Sequence, residues 1–96
     1  MIWTWDAEKD RTNKLKHRIS FETALLVFDD PLALSRPDPH PDGDRWRSVG
    51  AIGSATVFKV HTQPMPNPRT GQEIGRIISV RKATSHERRA YEEGKF

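Results

Sequence analysis

Apolar residues in this chain fall in short groups, and their spacing separates helices from strands. Ile2, Trp3 and Trp5 lie close together at the start and predict a short strand over 2–5. Asp6 is placed as a helix N-cap, and Glu8 suits the positive end of the helix behind it. Segment 7–16 is rich in Lys, Arg and Glu, with only Ala7 and Leu15 apolar, so it predicts a helix lying mostly exposed. Ser20 is a second N-cap. Phe21, Ala24, Leu25 and Phe28 then follow at i, i+3, i+4 and i+7, the spacing of an amphipathic helix over 21–29. That spacing assigns Phe21, Leu25 and Phe28 to the core. Asp30-Pro31 ends the helix, because the residue before proline avoids the helical region.

Segment 35–44 carries three prolines and a glycine and predicts a loop without regular structure. Strand patterns follow at about 45–50, 55–62 and 75–82. The first two are joined near Gly50 and Gly53, close enough for a hairpin. The connection 63–74 contains Pro64, Pro66, Pro68 and Gly71; it is long for a hairpin and is expected to be mobile or functional. Thr84 to Glu87 reads as a capping box before a last helix over 85–93, ended by Gly94. The order is β-α-α-β-β-β-α. It predicts an α+β fold, a small antiparallel sheet with helices on one face.

The 96 residues suffice for one domain. No apolar run approaches the ~18–20 residues that span a bilayer. The start lacks a basic region followed by an apolar stretch, so no secretory signal is expected. Cysteine is absent, which excludes disulfide scaffolds, thiol nucleophiles and cysteine zinc sites. These features together fit a cytoplasmic protein.

Charge changes the picture more. The net charge is +3, but residues 1–44 carry −3 and residues 45–89 carry +7, from nine Lys/Arg against Glu73 and Glu87. A half-basic small domain suits an anionic partner, usually nucleic acid; a solvated surface is the plainer alternative.

No phosphate-binding glycine loop, dinucleotide fingerprint, His-Glu-x-x-His or Gly-x-Ser-x-Gly motif is present. The histidines, His17, His40, His61 and His86, are scattered, so neither a metal nor a cofactor is expected. What remains is the basic, hydroxylated second half. On a regular strand Ile78 and Val80 share one face, while Ile77, Ser79 and Arg81 share the other. The last helix adds His86, Glu87, Arg88, Arg89 and Tyr91, with Glu87 and Tyr91 four apart on one face.

This set suits RNA cleavage without a metal. The 2′-hydroxyl must lose a proton, the phosphorane gains negative charge, and the leaving 5′-oxygen needs a proton. Arg and Lys can stabilise the charge, and a His, Glu, Tyr or Lys can move protons. Each residue also has a structural reading. Arg81, Lys82, Arg88 and Arg89 can be solvated ends and faces, Glu87 a cap, and Tyr91 a packing residue. His61 reads as a hydrogen-bonded structural histidine and Trp46 as core.

Taken together, the chain resembles the BrnT family of type II toxins. The matching pieces are Trp5-Asp6 with Lys9 and Asn13, Lys16-His17, Ser20-Phe21-Glu22 with Ala24, Val27-Phe28, and Asp30-Pro31. Arg45-Trp46, Gly50, the run Arg76 to Thr84, Glu87-Arg88-Arg89 and Tyr91 complete it. The resemblance implies a RelE-like ribonuclease fold, RNA cleavage that arrests translation, and a BrnA-type antitoxin. It implies a complex of two toxins and two antitoxins that meets DNA only through the antitoxin. Two departures stand out. Arg18 occupies a place where the family usually has Gly, and the 63–74 connection is long.

The resulting candidates for catalysis are Arg81, Lys82, Tyr91 and Glu87, with Tyr91 or Glu87 as proton carrier. Those for RNA binding are Arg76, Arg88, Arg45 and Arg47. A non-catalytic nucleic-acid-binding module and an antitoxin-docking module are the alternatives.

Overall fold

The computed structural model describes residues 1–39 and 43–96; His40, with Pro41 and Asp42 of the expected loop, lies outside the described residues. The elements are β1 (Ile2–Thr4), α1 (Ala7–His17) and α2 (Phe21–Ala24), which runs into a 3-10 helix (Leu25–Asp29). Then come β2 (Leu34–Pro37), β3 (Trp46–Ile52), β4 (Ala55–His61), β5 (Met65–Pro66), β6 (Glu73–Lys82) and α3 (Ser85–Glu93). The fold is α+β.

The local signals act as the sequence predicts. Asp6 accepts from the backbone N–H of Glu8 and Lys9, Ser20 accepts from Thr23 N–H, and Thr84 with Glu87 forms a complete capping box. Each satisfies amide donors that a helix start leaves unpaired. Gly53, at φ 59, opens the two-residue turn between β3 and β4, where Ile52 pairs with Ala55.

The sheet differs from expectation in two ways. It is mixed: in the order β1-β6-β4-β3-β2, β1 runs parallel to β6 and the other pairs are antiparallel. It has two more strands than predicted. β2 lies partly in the expected loop, at the sheet edge beside β3, where proline is tolerated. β5 arises because the 63–74 connection folds as a hairpin, with Met65 opposite Ile74. Its tip closes through Asn67 N–H to the Gln72 carbonyl at 2.8 Å and Gly71 N–H to the Asn67 carbonyl at 2.7 Å.

Helices also lie on both faces of the sheet, not one. Phe21, Ala24 and Val27 form the core with Val57, Ile77 and Val80. The opposite face carries Phe58, which pairs across the ladder with Arg81 and meets Phe96 beyond α3 at 6.4 Å between ring centres. A register shift between Val60 and His61, opposite Ile77 to Ser79, explains why Ile77 and Val80 are buried together rather than on opposite faces.

The second predicted helix tightens after Ala24 to three residues per turn. Phe21, Ala24 and Val27, three apart, therefore face the core, and Phe28 does not; Val27 is fully buried and Phe28 is 37% exposed. Phe28 stacks instead on Trp3, with ring centres 4.4 Å apart. Leu25 is half-buried.

Both sheet edges are closed by side chains where strands run out. β1 pairs with β6 only from Ile74 to Arg76. Beyond that, Asn13 on α1 donates to the Val80 carbonyl at 2.8 Å and accepts from its N–H at 3.3 Å. On the other side β2 stops opposite Val49, and Asp30 accepts from Ala51 N–H at 2.9 Å. These contacts satisfy both ladder groups of Val80 and the N–H of Ala51. They also set the end of α1 beside the end of β6.

Candidate functional site

Where α1 ends and β6 ends, the chain encloses an open groove of about 510 Å³ lined by Lys16, His17, Arg18, Ile19, Arg81 and Lys82. No carboxylate is among those lining residues. The helix end contributes its own partial negative charge, which favours cations in its last turn, and Lys14, Lys16 and His17 occupy that turn.

Arg81 is held from two sides. Its Nη1 and Nη2 donate to Glu87 Oε1 and Oε2 at 2.7 and 3.0 Å, and Nη1 also donates to the Lys82 carbonyl at 3.2 Å. Its guanidinium lies 4.1 Å from the Phe58 ring centre. The two-pronged bond to Glu87 fixes the plane of the fork and raises the Arg81 pKa further. The same bond holds the Glu87 carboxyl below its ordinary range, helped by the Thr84 amide. Glu87 accepts from Thr84 N–H at 2.9 Å as part of the capping box, so one carboxylate orients both the helix start and the arginine.

Tyr91 is engaged elsewhere. Its hydroxyl donates to Asp30 Oδ2, which also takes the Ala51 amide. The hydrogen bond to Asp30 raises the Tyr91 pKa, and that from Tyr91 comes first among those that lower Asp30. A lowered carboxyl is a weaker base and a raised phenol a weaker acid. In this geometry the expected proton carriers are both hydrogen-bonded within the fold, Glu87 to Arg81 and Tyr91 to Asp30.

Lys82 is exposed between the groove and a second hollow that it shares with Ser54, Ala55, Thr56, Ala83 and Arg88. Arg88 therefore reaches the neighbourhood of Lys82, although it pairs loosely with Glu92 at 3.7 Å. The other predicted binders lie apart. Arg76 precedes Arg81 by five positions on β6, about 16 Å along a strand. Arg47 lies on β3, two strands from β6 and so about 10 Å across the sheet. It donates to Asp38 at 2.8 Å. Arg45, just before β3, accepts the Asp38 N–H through its carbonyl at 2.8 Å.

So the structure joins Arg81, Lys82 and Glu87, adds Arg88 nearby, and separates Arg76, Arg45 and Arg47 from them. It brings in Lys16, His17 and Arg18, a basic run at a helix end that the sequence reading did not count among the site residues.

A second polar cluster lies on the core face. Ser48 Oγ is 2.7 Å from His61 Nε2, and His61 Nδ1 is 2.9 Å from the Thr62 carbonyl. A carbonyl only accepts, so Nδ1 carries the proton and the Ser48 hydroxyl donates to Nε2. Lys59, fully buried, donates from Nζ to the Ala24 carbonyl at 3.3 Å and lies against the Phe28 ring. Burial lowers the Lys59 pKa to about 6, and burial first, then Lys59, lowers that of His61. Trp3 and Phe28 cover His61 edge-on, at 5.4 and 5.3 Å. His61 is thus the structural histidine the sequence suggested.

No helix is long and apolar enough to cross a membrane among the described residues. None of the curated proteins compared with the chain matches it. A family model described as the ribonuclease toxin, BrnT, of type II toxin-antitoxin systems matches residues 5–87, and the chain belongs to that family.

Proposed function

We propose that this member of the BrnT ribonuclease toxins cuts RNA in the groove between α1 and β6, with no metal ion, and so arrests translation. The observation that carries the reading is the groove itself: Lys16, His17, Arg18, Arg81 and Lys82 converge with no carboxylate among the lining residues. Such a surface attracts a phosphate backbone. The positive charge that a metal would bring to the phosphorane comes here from Arg81 and Lys82.

Arg81 is the main transition-state donor. Its fork is set in advance by Glu87, so little reorganisation is needed when charge develops. Glu87 and Tyr91 are positioning residues for Arg81 and α3. His17 supplies the imidazole of the groove, and imidazole is the side chain best suited to exchange protons near neutral pH. It takes the 2′-hydroxyl proton as the 2′-oxygen attacks phosphorus. The P–O5′ bond breaks, leaving a 2′,3′-cyclic phosphate and a 5′-oxygen that takes a proton from solvent. The imidazolium returns its own proton to solvent. Arg88 extends the basic surface past Lys82, and Arg76, Arg45 and Arg47 are outer contacts for a longer RNA.

The partner of this reading is a BrnA-type antitoxin, in a complex of two toxins and two antitoxins, with DNA bound only through the antitoxin. The test has two arms. Expression of the chain alone in a bacterial host should stop growth, and co-expression of the neighbouring gene should restore it. The purified chain should cleave RNA in EDTA as fast as without it. Loss of cleavage in EDTA overturns the metal-free scheme. RNA binding with no cleavage at all returns the chain to a non-catalytic binding module.

A further inference from the structure

Arg18 is the one residue other than glycine with a positive φ among the described residues, at 62°. It ends α1 in the left-handed conformation, with its N–H bonded to the Lys14 carbonyl at 2.8 Å. A Cβ is disfavoured in that conformation and glycine is not, so glycine would close this helix with less strain. Strain of this kind persists where the side chain does something the backbone alone would not select.

Its side chain is exposed and lines the groove beside His17, Arg81 and Lys82. The two guanidiniums of the groove differ. Arg81 has committed both prongs of its fork to Glu87. Arg18 makes no ion pair among the described residues, and its planar fork matches two oxygens of a phosphate.

We propose that Arg18 is an RNA-phosphate-binding residue, and that the strained helix end is kept because it aims this second guanidinium into the groove. The inference rests on the RNA reading given above. It separates two roles by residue: Arg81 acts on the reacting phosphate, and Arg18 grips a phosphate beside it. A gripping contact is made equally in the ground state and the transition state, so it alters affinity more than the rate of the bound complex.

The test compares the wild type with Arg18→Gly and Arg18→Lys, by thermal melting and by binding of a short single-stranded RNA at several salt concentrations. Arg18→Gly should melt roughly 2–8 °C higher, through relief of the left-handed strain. It should bind RNA roughly 3–10-fold more weakly, with a salt slope reduced by about 0.7, the value for one phosphate contact on a single strand. Arg18→Lys keeps both strain and charge, so its melting point should match the wild type and its salt slope should be unchanged. An Arg18→Gly chain that binds RNA as tightly as the wild type, with the same salt slope, overturns the inference and leaves the ribonuclease reading standing. One that melts lower overturns the strain argument. A wild-type chain that binds no RNA overturns the ribonuclease reading and this inference with it.

Discussion

Lys59 and Lys82 sit on adjacent paired strands, and their registers, Lys59 opposite Val80 and Val57 opposite Lys82, place them on the same face of the sheet. Their fates are opposite. Lys82 lies at the end of β6, past the helices, and points to water beside Arg81 and Arg88. Lys59 lies under Ala24 and Phe28, fully buried, with its pKa lowered to about 6. One ammonium is free to meet an anion, while the other is neutral near physiological pH and serves the core as a long, hydrogen-bonded side chain. The same division holds for the histidines: His17 lines the groove and His61 is sealed behind Trp3 and Phe28. Chemical type does not decide function here. Access does, and access follows from which helix covers which stretch of strand.

Three substitutions break or sharpen this contrast. The largest effect is expected at Arg81. Arg81→Ala should lower RNA cleavage roughly 10²–10³-fold, the usual loss for one transition-state donor. Its stability should change by no more than ~1 kcal/mol, because the pair with Glu87 is partly exposed to water. Full cleavage by the alanine variant, measured on one RNA under single-turnover conditions, would take Arg81 out of the mechanism.

Lys59→Met should do the reverse, leaving cleavage intact and raising stability by about 1–3 kcal/mol at neutral pH, as an apolar chain of similar length replaces a buried amine. The pH dependence gives a sharper reading. The folded-state pKa of Lys59 lies below its unfolded value, so between about 6 and 10.5 the unfolded chain holds the extra proton. Wild-type stability should therefore rise with pH across that window and level off below it. Denaturant melts of Lys59→Met should lose this rise. A Lys59→Met chain that folds but no longer cleaves would put the sealed cluster into the mechanism and end the contrast.

The smallest effect concerns the cover. Phe28→Ala should cost about 1–2 kcal/mol, less than the ~3–5 typical of a buried Phe, since part of this ring is already in water. It should also let water reach Lys59 and raise its pKa, narrowing the pH window just described. A loss as large as that of a core phenylalanine in a chemical melt would show that the stack on Trp3 bears more of the fold than its exposure suggests.

Much of this architecture is written locally. Asp6, Ser20 and Thr84 mark helix starts because each side-chain oxygen reaches amides two or three residues ahead, and Gly94 marks an end because it accepts the left-handed conformation. The alternating patterns of β3, β4 and β6 are equally local. That Arg81 and Lys82 stand together at the end of β6 was legible for the same reason, as charges ending an apolar strand. Phe28 was misplaced because a 3.6-residue period was assumed where the chain tightens to three. The burial of Ile77 with Val80 depends on a ladder shift that one strand's sequence does not encode.

The sequence by itself determined where the helices begin, the strand patterns of β1, β3, β4 and β6, and that the positive charge gathers in the second half. Those features depend on residues within a turn of one another. Only the tertiary structure decided that β1 joins β6 in parallel, that α3 takes the opposite face from α2, and that Arg18 lines one groove with Arg81 across 63 positions of chain. It also decided which lysine is wet and which is dry. Such outcomes depend on contacts between distant segments, set by edge contacts such as Asn13 on Val80 and Asp30 on Ala51, and no local pattern carries that information.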